Sequence, residues 1–533
     1  SFLSYRAVTG VAFDGAILWY HFTDAFRTVF VLGGQSMFLL TTVISIVLLH
    51  YRGLLQVYSR AARRPAVGQK WKTTSSFFGY ACLGVLFVVQ VYADNGVGNL
   101  VIEFRQAKSD AKVLYVRYFE DSIKRNKMQS FLPRETRGQP NLFFVQLESL
   151  NADLVNPSFT PRLTETARKH GIFFPRIQSS SVFTILAMET ILCSVLPTLE
   201  RNLAQSEALY KDLVCLPKIL KRLGFRTLYF QAYPEPQFNN MDAFLQGIGF
   251  DEVHARDLMK PEDKLLKWGY AEDVFYRRVF HYLERFKDER VFAYVLVGSA
   301  NHYPFFDEEH RAAFPHLNNQ LPFPNPKGIQ ERMANTTFIQ DYFFGRMYDE
   351  LYVTKYSQNS HMVVFGDHSW PVGIHDGNTL NLNGAFQENF VTSLAVLPAK
   401  NHKQEYRFSN GKEVRSLHSH LDLLPTILEM YRIHNLHYYG QSFFRELIGD
   451  VQENERRSCV LSVQPFAGGF IALIDYPIKQ IFDLKRGLVT TYDLQRDPSE
   501  LKPMRQAKLD KDKLDLLNSC LASLKERRSR IAN

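Results

Sequence analysis

The segment NLFFVQLESL (141–150) determines the predicted fold, because it joins a short, continuous apolar run to a polar end. Similar apolar runs follow at 226–230 (RTLYF), 291–297 (VFAYVLV), 361–365 (HMVVF) and 393–397 (SLAVL). Runs of this kind are typical of strands in a parallel sheet that is buried on both faces. Segments with helical periodicity lie between them, such as AEDVFYRRVFHYLERFKDE. The sequence therefore predicts an α/β domain with a mainly parallel sheet flanked by helices.

Changes in composition divide the chain into four regions. Residues 1–93 are predicted to be a membrane region, and residues 94–140 a helical juxtamembrane linker that ends in PRETRGQP. Residues 141–505 form the predicted α/β domain. Residues 506–533 are a basic tail, for which we expect a solvated terminal helix.

Two apolar stretches without charged residues, 28–50 and 73–93, are each long enough to cross a bilayer as a helix. The connection between them carries six Lys or Arg residues and no Asp or Glu, which is typical of a cytoplasmic loop. We therefore expect a plasma-membrane (inner-membrane) protein whose α/β domain is extracytoplasmic, in the periplasm or outside the cell. The chain begins without Met, and we expect that a further N-terminal segment precedes it.

The net charge of +9 is the pattern of some nucleic-acid-binding proteins. Here much of the excess lies in the loop between the two apolar stretches and in the C-terminal tail. Membrane topology explains the loop, so no nucleic-acid partner is predicted.

Five cysteines are spread along the chain, and Cys82 lies inside the second apolar stretch. Disulfides can form among the other four if this region is outside the cytoplasm. Cys193 and Cys215 are close in sequence and are the preferred pair. No C-x-x-C array indicates a structural zinc site.

Polar residues with metal-binding chemistry follow three of the predicted strands. Glu148 ends the first run, Asp367 and His368 follow HMVVFG, and His302 follows VFAYVLV through GSAN. The carboxyl ends of parallel strands meet at one edge of a sheet, where functional groups gather. Each residue alone is equally consistent with an ordinary turn or cap. Together, Glu148, Asp367 and His368 offer two carboxylates and an imidazole, a set that suits Mn²⁺, Mg²⁺ or Zn²⁺.

A hydroxyl nucleophile is expected within SSSVFTILAMETILCSVLP (179–197). Its apolar spacing predicts a helix from Thr184 onward, with Thr184 in the first turn, where the helix N-terminus favours an anion. The alternative is that Thr184 only caps the helix, and patterning alone favours that alternative. Ser179, Ser180 and Ser181 are competing nucleophiles. A P-loop, a G-x-S-x-G elbow, an H-E-x-x-H motif and a complete G-x-G-x-x-G motif are all absent.

Over about residues 140–445, the chain resembles the lipoteichoic acid synthase family. These are membrane-bound phosphoglycerol transferases within the sulfatase and alkaline phosphatase superfamily. NLFFVQLESL resembles the family's first strand, FTILAMETILCSVLP its nucleophile helix and VVFGDHSW its metal-binding pair. The resemblance implies a sulfatase-like fold, Thr184 as nucleophile five residues before Glu189, and Glu148, Thr184, Asp367 and His368 as metal ligands. It implies one divalent metal, with Mn²⁺ preferred and Mg²⁺ or Zn²⁺ as alternatives.

The resemblance also implies a substrate pocket. ANHYPF carries the pocket histidine, here His302, and FNNMDAFLQGIGFDE resembles a pocket-lining segment. Well-studied synthases hold the glycerol phosphate with a tryptophan and an arginine, and Asn240 stands close to where that arginine falls. Asn cannot provide the bidentate contact of Arg. His375, seven residues after His368, is a second pocket candidate or a surface loop residue. The C-x-P-x-R motif of true sulfatases is incomplete at Cys215, which argues against sulfate ester hydrolysis.

These patterns predict a membrane-anchored, metal-dependent transferase. It would move a phosphoglycerol-type headgroup from a phospholipid donor to an envelope glycan or lipid acceptor through a phospho-threonine at Thr184, with His302 as proton donor. A phosphoethanolamine transferase and a phosphodiester hydrolase are the enzymatic alternatives. A non-catalytic protein that binds envelope polymers is the alternative from another class.

Overall fold

The computed structural model describes residues 110–129, 138–199, 202–378, 381–382, 384–401, 407–433, 436–450, 459–466 and 469–526. The two apolar stretches predicted to cross the membrane lie outside these residues. Among the residues that are described, no helix combines the length and the apolar character that crossing a bilayer requires.

Seven strands form the central sheet in the order β2-β9-β8-β1-β7-β3-β4. Their bounds are β1 Asn141–Leu147, β2 Ile172–Gln178, β3 Phe225–Gln231, β4 Glu252–His254, β7 Arg290–Val297, β8 Ser360–Gly366 and β9 Val391–Leu397. A small hairpin, β5 Leu265–Leu266 and β6 Gly269–Tyr270, precedes β7. The pairs β1–β7, β1–β8, β3–β7 and β3–β4 are parallel. The predicted α/β class with a mainly parallel sheet is therefore confirmed, and all five predicted runs are strands.

Two features of this sheet differ from the prediction. Strand β9 runs antiparallel to both neighbours, and an apolar run does not reveal strand direction. Strand β2 was not predicted, because Pro175 interrupts it. The register of β2 shifts between Phe174 and Ile177, as expected where Pro removes a ladder hydrogen bond.

Helices cover both faces of the central sheet. In chain order they are α1 Asp110–Lys127, α2 Pro161–His170, α3 Thr184–Cys193, α4 Glu207–Tyr210, α5 Leu216–Arg222, α6 Met241–Gly247, α7 Glu272–Leu283, α8 Asp307–Ala313, α9 Ile329–Arg346, α10 Val353–Lys355, α11 Gln387–Phe390, α12 Leu423–Met430, α13 Phe444–Ile448 and α14 Lys511–Glu526. Alternate residues of β1 enter different cores: Leu142 and Phe144 pack under α3, α5 and α12, whereas Phe143 and Val145 pack under α7 and α9. Burial on both faces explains the continuous apolar strands.

A second, antiparallel sheet follows, with five strands in sequential order: β10 Val460–Gln464, β11 Phe470–Asp475, β12 Ile478–Asp483, β13 Leu488–Asp493 and β14 Arg505–Lys508. Its core includes residues of α1 and α14, such as Tyr115 and Leu521. The Tyr115 hydroxyl donates to the carbonyl of Pro197 at 2.6 Å. The described part of the predicted linker, α1, is thus packed into the domain. The terminal helix α14 is likewise half buried, not fully solvated.

Two disulfides join distant parts of the chain. Cys193 at the end of α3 bonds Cys215 before α5, which confirms the preferred pair. Cys459 before β10 bonds Cys520 on α14. The second bond anchors the C-terminal helix to the second sheet.

Candidate active site

Three buried side chains meet at the carboxyl edge of the central sheet. Glu148 follows β1, and Asp367 and His368 follow β8, its parallel neighbour with Leu147 opposite Gly366. One ligand atom from each of the three lies within 4.8 Å of the other two. The strand register therefore brings together the three side chains that the sequence predicted to be metal ligands.

The Asp367 carboxylate is held by three donors. The backbone N–H groups of Ser149 and His368 donate to Oδ1 at 3.0 and 2.8 Å, and Gln146 Nε2 donates to Oδ2 at 3.1 Å. The hydroxyl of Tyr294 donates to Gln146 Oε1, which fixes the orientation of that amide. These contacts determine where the carboxylate points.

An unusual backbone turn at Ser149 sets the direction of the Glu148 side chain. Ser149 adopts a left-handed conformation (φ 50°), which costs about 1–2 kcal/mol for a residue other than Gly. The surrounding contacts hold this turn: Asn301 Nδ2 donates to the carbonyls of Glu148 and Ser149 at 3.0 and 3.3 Å, and Thr336 donates to Asn301 Oδ1. The Ser149 hydroxyl donates to Glu148 Oε1 at 3.0 Å.

The His368 ring directs Nε2 into the site. Its Nδ1 lies 2.9 Å from the carbonyl of Ser369, and because a carbonyl can only accept, Nδ1 carries the proton. Nε2 lies 3.5 Å from Glu148 Oε1 and 3.5 Å from Asp367 Oδ2. This arrangement is the one that orients an imidazole toward a metal.

The electrostatics of the site favour the binding of a cation. Burial, and then the charge of Asp367, raise the pKa of Glu148 well above its ordinary value. Among the described residues, no Lys or Arg forms an ion pair with either carboxylate. Two buried carboxylates and one imidazole, without thiolates, fit a divalent metal ion.

Thr184 faces this cluster. It is the first residue of α3, and the N-cap position belongs to Phe183, whose side chain makes no cap hydrogen bond. Thr184 Oγ1 lies 3.5 Å from Glu148 Oε2 and 3.4 Å from His368 Nε2. Thr184 is therefore not the N-cap residue of α3, and its hydroxyl faces the candidate metal ligands.

The three competing serines have other surroundings. The Ser179 hydroxyl donates to the carbonyl of Ser181 at 2.8 Å, and the Ser181 hydroxyl donates to Val463 at 2.9 Å. Ser180 is fully buried, and its N–H lies 3.4 Å from His420 Nδ1. These residues tie the segment before Thr184 to the second sheet.

His420 is a residue near the site that the sequence did not single out. Its Nε2 donates to the carbonyl of Gly366 at 3.1 Å, and its Nδ1 accepts from Ser180. Burial lowers its pKa to about 4, so the ring is neutral. It joins the end of β8 to the segment before Thr184. Its place in HSHLDLLPTILEMY was the available signal.

His302 follows Asn301, whose side chain donates to the Glu148 carbonyl. Its Nδ1 donates to the carbonyl of Tyr303 at 2.8 Å, and its ring lies 4.0 Å from that of Trp268. Tyr303 stacks on Trp370 at 5.0 Å, two residues after His368. We call Trp268, His302, Tyr303 and Trp370 the aromatic wall.

The other two predicted substrate residues have different contacts. Asn240 is exposed, and its Nδ2 donates to the carbonyl of Ala204 at 2.5 Å. His375 bonds Glu388 Oε1 through Nδ1 at 2.9 Å and the carbonyl of Glu500 through Nε2 at 3.1 Å. Burial lowers the pKa of His375, but these hydrogen bonds outweigh it, and the pKa is raised. With both nitrogens engaged, His375 serves to link two loops.

Comparisons with known proteins agree with this geometry. The family model described as Sulfatase matches residues 140–433. A protein in the alkaline phosphatase superfamily from Vibrio parahaemolyticus is 16% identical, with a TM-score of 0.55 over 76% of this chain and 94% of that one. The lipoteichoic acid synthase LtaP from Listeria monocytogenes is 17% identical, with a TM-score of 0.54 over 77% and 99%.

The phosphonate monoester hydrolase of Agrobacterium radiobacter is 15% identical, with a TM-score of 0.50 over 72% of this chain and 95% of that one. At such identities the likeness shows the fold alone. A search of curated proteins finds no match.

Proposed function

This chain belongs to the sulfatase family, and we propose that it is a metal-dependent transferase of phosphoglycerol-type headgroups. The donor is a phospholipid, the acceptor is an envelope glycan or lipid, and the intermediate is a phospho-threonine. The observation that carries the proposal is the position of the Thr184 hydroxyl, 3.4 and 3.5 Å from two of the three metal-ligating side chains. A hydroxyl beside a metal site is the arrangement that phosphoryl transfer through a covalent intermediate requires.

The cysteines support transfer of a phosphoryl group over hydrolysis of a sulfate ester. The segment that comes nearest to a sulfatase motif begins at Cys215, and this cysteine is bonded to Cys193 and buried. A cysteine in a disulfide is not available for conversion to a catalytic aldehyde. Threonine is thus the better candidate for the reacting group.

In the proposed mechanism, Glu148, Asp367 and His368 would hold a divalent metal, which supplies positive charge beside Thr184 when bound. Thr184 Oγ1 loses its proton to water and bonds to the headgroup phosphorus, while the bond from phosphorus to the diacylglycerol oxygen breaks. His302 gives a proton to that oxygen. Since Nδ1 of His302 donates to Tyr303, the transferred proton is carried on Nε2.

The second half-reaction reverses these roles. An acceptor hydroxyl gives its proton to His302, and its oxygen bonds to phosphorus. The bond from phosphorus to Thr184 Oγ1 then breaks, and the hydroxyl regains a proton from water. If water replaces the acceptor, the enzyme is a hydrolase.

We further propose that the catalytic domain is extracytoplasmic. Two disulfides support this, because such bonds are rare in the reducing cytoplasm. The basic loop between the two predicted membrane spans gives the same orientation.

The test is intact-protein mass spectrometry of the full chain after incubation with manganese and phosphatidylglycerol or phosphatidylethanolamine. We expect an adduct on Thr184 whose mass identifies the headgroup. Thr184→Ala should lose the adduct and at least a thousandfold in turnover. Thr354→Ala, on an exposed helix end, should retain both. Full turnover by Thr184→Ala would refute the proposal.

A further inference from the structure

Strand β10 of the second sheet borders the segment that leads into Thr184. The N–H of Val463 donates to the carbonyl of Ser180 at 2.8 Å, and the hydroxyl of Ser181 donates to the carbonyl of Val463 at 2.9 Å. Ser181 and Val463 also pair as a parallel bridge. The second sheet therefore fixes the backbone just before the candidate nucleophile.

Asn381 connects this segment to the loop of the metal ligands. Its Nδ2 donates to the carbonyl of Val182 at 3.2 Å and to the carbonyl of Ser369 at 2.9 Å. Val182 precedes Thr184 by two residues, and the carbonyl of Ser369 also lies 2.9 Å from Nδ1 of His368. One buried amide group thus links the approach to the candidate nucleophile with the hydrogen-bond partner of a candidate metal ligand.

Asn381 is itself held by residues of two other elements. Asn389 of α11 donates from Nδ2 to Asn381 Oδ1 at 2.7 Å, and Gln464 of β10 donates from Nε2 to the Asn381 carbonyl at 2.7 Å. The Asn381 backbone adopts a left-handed conformation (φ 56°), which Asn tolerates better than most residues. The second sheet therefore reaches the site by two routes, through the segment before Thr184 and through Asn381.

The hydrogen-bonding capacity of the Asn381 side chain suits this place. A carboxamide offers two N–H donor groups and a carbonyl acceptor, and here the donors and the acceptor all have partners. An ionised aspartate has no donor for the two backbone carbonyls, and an apolar side chain would leave both without this partner. Because its N–H groups are engaged, Asn381 is suited to position other groups and not to bind substrate.

We propose that Asn381 is a positioning residue that sets the distance between the Thr184 hydroxyl and His368, and that the second sheet acts on catalysis through it. Thr184 Oγ1 lies 3.4 Å from His368 Nε2. This inference rests on the proposed function and deepens it, because it names the residue that keeps the nucleophile beside the metal site.

The test compares crystal structures and manganese affinities of full-length variants. Asn381→Gly removes the amide and accommodates the left-handed backbone. The distance from Thr184 Oγ1 to His368 Nε2 should increase by at least about 0.5 Å, because the carbonyls of Val182 and Ser369 lose their common donor. Manganese affinity, measured by calorimetry, should fall about tenfold.

Turnover of ethyl p-nitrophenyl phosphate at saturating manganese separates positioning from substrate binding. In Asn381→Gly, kcat should fall about a hundredfold while KM stays within about twofold, because the change misplaces the nucleophile and leaves the substrate pocket intact. Gln464→Met keeps Asn381 but removes the donor to its carbonyl, so the same shifts should appear at smaller size. This second variant carries the test if Asn381→Gly does not fold.

Asn126→Ala is the matched control. Asn126 is as deeply buried as Asn381, its Nδ2 donates to the carbonyl of Cys193 at 2.6 Å, and its Oδ1 accepts from the N–H of Val214 at 2.7 Å. Asn126 thus joins backbone groups at the opposite end of α3. Its loss should lower the urea midpoint of unfolding without changing the distance, the manganese affinity or kcat.

An unchanged distance from Thr184 Oγ1 to His368 Nε2 in the Asn381 and Gln464 variants, or an equal shift in Asn126→Ala, would overturn the inference. If the unaltered protein neither binds manganese nor turns over the phosphodiester, the proposed function fails. The distance alone then decides the inference, since it is measured without metal or substrate.

Discussion

The metal site and the aromatic wall lie side by side but are built differently. At the metal site, each oxygen of Asp367 is held by a donor within 3.1 Å, and the strained turn at Ser149 is secured by Asn301. At the wall, ring contacts predominate, between Trp268 and His302 and between Tyr303 and Trp370. The difference indicates that polar contacts fix the side chains of the metal site, whereas the wall is assembled by ring packing.

The largest expected effect comes from the substitution of a candidate metal ligand. Glu148→Gln removes one of two carboxylates, and we expect metal binding to be lost and turnover to fall at least a thousandfold. The same change removes a buried like-charge pair, so the metal-free protein should gain about 1–2 kcal/mol in unfolding free energy. Metal analysis and urea unfolding in the presence of a chelator measure the two effects. A protein that loses activity and stability together would contradict this account.

The next prediction concerns a buried carboxyl behind the aromatic wall. The fully buried Glu272 accepts from the N–H of Ala300 at 3.2 Å, behind the loop that carries His302. Burial raises its pKa to about 7. A carboxyl with a raised folded-state pKa contributes stability that is present below its unfolded pKa and is lost as pH rises through the folded value. Between the ordinary value of 4.5 and about 7, this loss should reach about 3 kcal/mol.

Urea unfolding at several pH values measures this slope. Glu272→Gln should reduce the loss of unfolding free energy with rising pH by the part that Glu272 contributes, because the amide does not titrate. Glu350→Gln is the control, since Arg346 lowers the pKa of Glu350 and moves its effect below this window. An unchanged slope in Glu272→Gln would show that Glu272 is not held neutral.

A smaller effect on metal affinity is expected from a residue that supports a candidate ligand. Gln146→Leu removes one donor to Asp367 without touching a ligand, and metal affinity should fall about 10- to 100-fold. Titration with manganese, followed by calorimetry, measures this. An unchanged metal affinity in Gln146→Leu would show that Gln146 is not needed to hold Asp367.

Local pattern was sufficient to predict that the three candidate metal ligands lie together, because they follow apolar strands. Once β1 and β8 are parallel neighbours, Glu148 and Asp367 must lie at one edge. The supporting residues had no comparable signal. Gln146 is a single polar residue inside an apolar strand, and Asn301 is one loop residue among several.

Loop residues were the least predictable. Asn240 was assigned to the substrate from the resemblance of its segment to a pocket-lining segment, and His375 from its spacing to His368. Their contacts depend on partners far away in sequence, such as Ala204 for Asn240 and Glu500 for His375.

The most direct test of this account is a crystal of the protein soaked with manganese and measured for anomalous scattering. We expect one strong peak about 2.0–2.3 Å from oxygens of Glu148 and Asp367 and from Nε2 of His368, with the Thr184 hydroxyl beside it. A peak at another location, or a hydroxyl turned away from the ion, would contradict the central claim that these groups form one catalytic centre.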